Sequence, residues 1–279
     1  MNVISFINMK GGVAKTTLAI NIADCLVRRH DASVLCIDVD PQFNATQCLM
    51  APDDYMAHVN NDGCTILDVF DRQTRARVGV VNGVSPTAPR TLDSIEPITI
   101  KDDFDLLPGA LDLYRLEMAP GEGRENRLRL FIQGVKDDYD YVIIDTPPTP
   151  SIWMTSALIA SDHYVIPVRP DPISLTGIDL LRAIVREKTE NFGLNTNCAG
   201  VVLTVVETNT KVFENAKTNL KANNFWEQKL FDKHLVKRTE VARLQLEQQF
   251  ILDGSNPDIK LGLSQITDEL LNRIESDDE

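Results

Sequence analysis

The strongest constraint in this chain is the run from Val3 to Thr17, VISFINMKGGVAKTT. An apolar β-type segment hands over directly to a glycine pair, with Lys10 before it and Lys15, Thr16 and Thr17 after it. Glycine lets the backbone turn tightly and approach a ligand closely, so the N–H groups of such a strand-to-helix junction point inward at an anion. Gly11, Gly12, Val13 and Ala14 then line a polyphosphate cradle. Lys15 would reach the β- and γ-phosphates of such a ligand, the Thr16 hydroxyl would sit on Mg²⁺, and Thr17 follows at the helix start. Lys10 is the unusual part, because an ordinary phosphate loop has no use for a second lysine five residues ahead of the first.

Two further runs end in acid. Ser33 to Val39 reads as a buried strand and continues into D-V-D-P-Q-F-N-A-T, which puts Asp38 and Asp40 on the same side at a strand's C-terminal end. Ligands of open α/β sheets bind at such ends. Tyr141 to Ile144 delivers Asp145 to the end of another strand, a Walker B pattern whose carboxylate holds Mg²⁺ through water. The ordinary G-x-x-x-x-G-K-[ST] pattern is not met, since Met9 and Ala14 stand at its two glycine positions. The run is K-G-G-x-x-K-T-T, the deviant Walker A motif.

Together these residues resemble the ParA/MinD family of P-loop ATPases, and its ParA/Soj branch in particular. The match covers about residues 1–50 and 104–250, including the DxDPQxNxT segment at Asp38, Asp40, Pro41, Gln42, Asn44 and Thr46. It also includes the strand Phe104–Leu107, the run Val165–Val168 and Ser174–Gly177. The resemblance implies that Lys10 crosses a dimer to the partner's nucleotide and that Asp40 positions the attacking water. It further implies that Asp38 joins the Mg²⁺ water shell and that Thr146-Pro147-Pro148 is a switch sensing the γ-phosphate. Loops after Gly200–Val206 and after a strand near Trp226–Phe231 would hold the adenine, with Thr204 and the Asp232–Leu235 loop as candidates.

The expected fold is α/β: a single doubly wound, mostly parallel sheet with helices on both faces, in one domain over 1–279. The pattern predicts helices at about 15–30, 122–136, 152–159, 174–190, 238–250 and 258–274, with a fraying acidic tail at Glu275–Glu279. Residues 51–103, rich in Gly and Pro, read as an irregular insertion with one short helix near Thr65–Phe70. The five cysteines show no metal spacing and fit reduced thiols. No leader is expected, since the N-terminus is already a core strand, and no apolar run suits a membrane span.

The resemblance implies a slow, partner-stimulated ATP hydrolase that closes into a homodimer around two nucleotides and binds DNA without sequence preference. A ParB-like adaptor would trigger hydrolysis, and plasmid, chromosome or other cargo would be segregated in a cytoplasmic, nucleoid-associated setting. The net charge of −13 opposes DNA binding by the whole chain, but residues 207–243 carry eight basic and five acidic side chains. Lys211, Lys217, Lys237 and Arg238 are the DNA candidates there. No membrane partner is expected. The last sixteen residues hold six acidic side chains and one Arg, unlike the basic terminal helix of MinD-like relatives. The cysteines do not suit a nitrogenase-type cluster, the Tyr-rich tail of the superfamily's kinases is absent, and the chain starts at the catalytic strand without a helix-turn-helix. Two other readings stay open: a ParA-like positioner of a protein complex, and a metabolic P-loop ligase of the same superfamily.

Overall fold

A computed structural model of the chain describes residues 1–71, 75–79, 83–87, 89–118, 121 and 123–278. Of the side chains at 75–79, 83–87, 172–176, 277 and 278 nothing is said, so the side chains that carry the resemblance at Ser174–Thr176 lie outside the description, and the last tail residue, Glu279, lies outside the described residues.

The strands are β1 Asn2–Phe6, β2 Val34–Asp38, β3 Arg75–Gly79, β4 Gly83–Thr87, β5 Ile98–Lys101, β6 Phe104–Leu107, β7 Tyr141–Asp145, β8 His163–Val168, β9 Asn197–Val206 and β10 Leu230–Val236. Eight of them form one sheet in the order β10-β9-β8-β1-β7-β2-β6-β5. All neighbours run parallel except β5, which lies antiparallel on β6 at one edge. The central strands are apolar on both sides, as a sheet covered on two faces requires. Ile4 and Phe6 of β1, Cys36 of β2 and Ile143 of β7 enter one core, while Val3, Leu35, Ile37, Val142 and Ile144 enter the other.

The helices are α1 Lys15–His30, α2 Asn44–Leu49, α3 Pro52–Asn60, α4 Ile66–Phe70, α5 Leu113–Glu117, α6 Arg127–Gly134, α7 Ile152–Ala160, α8 Pro172–Phe192, α9 Lys211–Lys221, α10 Asn224–Lys229, α11 Thr239–Leu246 and α12 Pro257–Asp278. α1 buries Leu18, Ile22, Cys25 and Leu26 against the sheet and packs on α12, whose Leu263, Ile266 and Leu270 share that core. α6 and α7 cover the opposite face. The chain runs from β1 outward to β2, returns through β7 and then departs to β8, so the sheet reverses its winding beside β1. That reversal opens a crevice at the strands' C-terminal ends, where the phosphate loop emerges.

Five expectations change. The segment 51–103 holds the expected short helix as α4, and beyond it α3, a hairpin of β3 on β4, a turn of 3-10 helix at Leu92–Ser94, and β5. The expected strand near Trp226–Phe231 is instead the short helix α10, with β10 starting only at Leu230. Asn223 decides this locally, because its side chain accepts from Phe225 N and Trp226 N and caps the helix. Asp232–Leu235 therefore lies within a strand and is not a loop. The helix expected at 238–250 ends at Leu246, and α12 continues through most of the acidic tail to Asp278.

Gly200 is a pivot of the β8–β9–β10 half. It sits at the register shift between β8 and β9 with φ 147°, and a Cβ there would lie 2.3 Å from the Lys229 carbonyl oxygen. Gly200→Ala is expected to lower stability by about 1–3 kcal/mol through overpacking and strain. A melting temperature unchanged in thermal unfolding would contradict this.

Candidate functional site

The site is assembled at the C-terminal ends of β1, β2 and β7. After β1, Ile7 N donates to Val165 O at 3.0 Å and so stays on the sheet. Asn8 then ties the loop down: its Nδ2 donates to Pro167 O at 2.7 Å and its Oδ1 accepts Lys10 N at 2.9 Å. Gly12 takes φ 71° and Ala14 takes φ 58°, two left-handed residues that turn the chain back into α1. For Ala14 this conformation costs roughly 1–2 kcal/mol relative to a right-handed residue. Its methyl does not abolish the turn that a glycine would make; alanine makes it under strain.

No side chain among the described residues caps α1, and its first turn carries no acid. Its N–H groups are therefore available to an anion, favoured further by the helix dipole. A Cβ built on Gly11 or Gly12 would meet nothing within 4 Å, so the inner surface of the loop is open. Val13 is buried, and its carbonyl accepts the hydroxyl of Thr204 at 2.7 Å. Thr204, a candidate for adenine, thus braces the phosphate loop. Thr17 donates from Oγ1 to Gln245 Oε1 at 3.3 Å, joining the start of α1 to α11.

Around this turn stand three aspartates and a lysine. Asp38 and Asp145 are register partners on adjacent strands, both fully buried. Burial, and then the neighbouring Asp145 charge, push the Asp38 carboxyl up to about 8. Asp145 is pushed up to about 6 by burial, against the opposing pull of Lys15 and the Thr16 hydroxyl. Lys15 is itself buried, which lowers its pKa, while Asp145 and Asp40 act in the other direction. Asp40 is raised by burial, countered by the Gln42 amide and by Lys15.

The two buried carboxylates are used differently. Asp38 Oδ1 accepts Asp40 N at 3.1 Å, and Oδ2 accepts Thr46 N and Thr46 Oγ1 at 2.9 and 2.8 Å. Its oxygens are occupied by the protein. Asp145 Oδ2 accepts the Thr16 hydroxyl at 2.6 Å, while its Oδ1 is buried and meets no hydrogen-bond partner among the described residues. A buried, unpartnered carboxylate oxygen beside a threonine hydroxyl fits a hard cation. Among the described residues no three His, Cys, Asp or Glu side chains gather as a metal cage, so a cation there would need ligands from a bound phosphate.

Lys10 is paired with an acid outside this cluster. Its Nζ pairs with Asp171 Oδ2 at 2.6 Å, and both side chains are partly exposed. Asp171, just before α8, had no signal in the sequence. Asn8 and Gly109 carried no sequence signal as site-builders, and Thr46, matched in the DxDPQxNxT segment, carried no role there; the structure gives it the Asp38 carboxyl to hold. A cleft of about 250 Å³ opens beside Asp40, walled by Tyr114, Glu117 and Pro147–Ser151. A larger cavity of about 390 Å³ lies at the other end of the strands, near Met1 and Arg129, away from the aspartates. The basic candidates lie elsewhere. Lys211 and Lys217 are on α9, and Lys237 and Arg238 follow β10, with Lys237 held by Glu207 at 2.6 Å.

Comparison with known proteins gives a consistent picture. Residues 1–198 match the model of a family described as "AAA domain". The chain is 33% identical to the sporulation initiation inhibitor protein Soj of Bacillus subtilis, over 86% of this chain and 84% of Soj. The fold superposes on a putative plasmid partition protein of Borrelia burgdorferi bound to AMPPNP with a TM-score of 0.75 at 21% identity, covering 98% of each chain. It also superposes on cobyrinic acid a,c-diamide synthase of Mycobacterium smegmatis with bound ATP analogue and magnesium, at a TM-score of 0.72 and 19% identity, over 99% and 96% of the two chains.

The raised carboxyls predict a pH dependence. Both folded values lie above the ordinary ~3.9 of an unfolded Asp. Their contribution to stability is therefore full below about pH 4 and is lost as pH rises through about 6 and then about 8. The nucleotide-free protein is expected to melt progressively lower from about pH 4 to about pH 8, most steeply below about pH 6 where both groups contribute, and to level off above about pH 8. Asp38→Asn, a neutral stand-in, should flatten the upper part of that slope. Parallel slopes for both proteins in a calorimetric pH series would contradict the assignment.

Proposed function

The chain belongs to the ParA/Soj family of P-loop ATPases, and on that footing we propose that it is an ATP-driven dimer switch of the partition type. The observation that carries this reading is the uncapped start of α1, with buried Lys15 beside Asp40 and Asp145 and the Thr16–Asp145 contact facing the same turn. The amides of residues 11–16 hold the phosphates, and Lys15 places its charge between the β- and γ-oxygens. Thr16 directly, and Asp145 through water, would hold Mg²⁺, which when bound neutralises charge developing on the phosphates. Asp38 supports them by fixing the turn that carries Asp40.

Asp40 sits at the cleft beside Pro147–Ser151 and orients the attacking water. Lys10 acts in trans. It exchanges Asp171 for the γ-phosphate of a second subunit, which draws two chains together and stabilises charge in the transition state, as an arginine finger would. The pair it gives up is partly exposed, and such pairs contribute only about 0–1 kcal/mol. A polyphosphate can therefore outcompete it. Hydrolysis removes the attracting charge and lets the dimer open. The dimer binds duplex DNA through Lys211, Lys217, Lys237 and Arg238, and a ParB-like adaptor accelerates turnover. No helix among the described residues is long and apolar enough to cross a membrane.

The fold is shared with an amide-forming enzyme, so fold does not separate partition from ligase chemistry. The D-V-D-P-Q-F-N-A-T segment supports the partition reading, because it resembles ParA and not the ligases. A ligase would consume ATP only with a small-molecule acid present.

Lys15→Ala is expected to lose ATP binding in calorimetric titration; retained affinity would show that the phosphate loop is misassigned. Asp40→Ala should bind Mg–ATP, accumulate as a dimer and hydrolyse at least about 100-fold more slowly, a loss comparable to removing a major catalytic group. Random-sequence duplex should be bound with ATP and not with ADP. Charge reversal at Lys211 or Lys217 should reduce the slope of log affinity against log salt by about 1 or more. Equal binding in both nucleotide states would remove the DNA switch and leave the ATP-dependent dimer to act on another cargo.

A further inference from the structure

We propose that Phe43 and Tyr55 form an aromatic clasp that positions the Asp40 turn, giving the segment beyond residue 50 a direct hand in turnover. The inference rests on the assignment of Asp40 to the water-orienting role.

Asp40 begins a tight turn. Phe43 N donates to Asp40 O at 2.8 Å, and Gln42 N donates to Asp40 Oδ1 at 2.9 Å. Phe43 closes that turn with φ 42° and ψ 44°, a left-handed conformation that disfavours any residue bearing a Cβ. A bulky residue holds such a conformation only where its surroundings over-determine it. Here the determinant is α3. The ring of Tyr55 stacks on the ring of Phe43 with centroids 5.4 Å apart and planes 15° from parallel. Tyr55 also donates from its hydroxyl to Gly109 O at 3.0 Å.

Gly109 completes the clasp. Its N–H donates to Thr46 Oγ1 at 2.8 Å, and that hydroxyl donates in turn to Asp38 Oδ2. A Cβ at position 109 would lie 2.6 Å from Phe43 Cβ and 3.0 Å from the Asp38 carboxyl, so the loop after β6 packs directly on both. Asp40 is thus bounded on one side by Asp38, which accepts its amide, and on the other by a phenylalanine pinned from α3. Neither aromatic ring lines the cleft beside Asp40, so both are positioning residues.

The test uses the full-length protein with Mg–ATP and three variants. Phe43→Gly leaves the left-handed turn open without strain, so it removes the ring while the backbone conformation remains accessible. Tyr55→Ala removes the stack and the bond to Gly109, and Tyr55→Phe removes the bond alone. Phe43→Gly and Tyr55→Ala are expected to lower kcat about tenfold with KM for ATP unchanged, because geometry and not affinity is lost. The amides of Gln42, Phe43 and Thr46 should exchange hydrogen for deuterium faster in both. Tyr55→Phe should retain most of kcat, and Phe43→Gly combined with Tyr55→Ala should be no slower than either alone. Wild-type kcat and wild-type exchange in both single variants would overturn the clasp. Asp40→Ala run alongside separates the two readings. Normal turnover there removes Asp40's role while the exchange data still decide the clasp, and a dead Asp40→Ala beside unaffected clasp variants removes the clasp alone.

Discussion

Two carboxylates buried side by side, Asp38 and Asp145 on adjacent strands in register, set the terms for the rest of the site. Even after relaxation, taking a charge out of water costs several kcal/mol per ion. A single hydrogen bond to a charged group returns about 1.5–3 kcal/mol. Asp38 is satisfied by three donors from its own loop and α2, which commits it to shaping the turn that follows. Asp145 receives one hydroxyl and a nearby lysine and retains an oxygen without a partner. The asymmetry is plain: one acid has its oxygens taken by protein donors, and the other keeps a buried oxygen without a hydrogen-bond partner.

Two of the left-handed non-glycine residues flank the same place. Ala14 and Phe43 both adopt left-handed conformations, one at the entrance of α1 and one at the entrance of α2. Local rules broken next to buried charges are expected at functional sites, where the surrounding packing can sustain them. At Ala14 the support is Thr204 on the preceding carbonyl and the first helical bond from Leu18 N to Ala14 O. At Phe43 it is Tyr55 and Gly109. Thr204 of β9 and Gly109 after β6 lie far from these turns in sequence, and Tyr55 comes from the neighbouring helix α3, so the phosphate loop and the Asp40 turn are each held from outside.

Legibility in the sequence followed the strength of local signals. α1 spans Lys15–His30 as its apolar stripe indicated, and β8 spans His163–Val168, because long periodic or continuous apolar runs carry their own evidence. The Trp226–Phe231 segment was misread because aromatic content resembles strand propensity, while a six-residue helix has too few positions to show a period. Its asparagine cap was the overlooked signal. Residues 51–103 were read as irregular because their Gly and Pro break every window, although β5 gains its place only by pairing with β6.

The sequence by itself determined the parallel sheet, the phosphate loop and the acids that face it, because these depend on residue type and short-range spacing. A strand that ends in Gly-Gly and Lys-Thr, or in Asp, states its chemistry within ten residues. Only the tertiary structure decided which acid keeps a free oxygen, where Lys10 rests and what braces Asp40. Asp171 lies 161 residues from Lys10, and Gly109 lies 63 from Thr46. Contacts across such separations arise from strand order and packing, and no local pattern of residues encodes them.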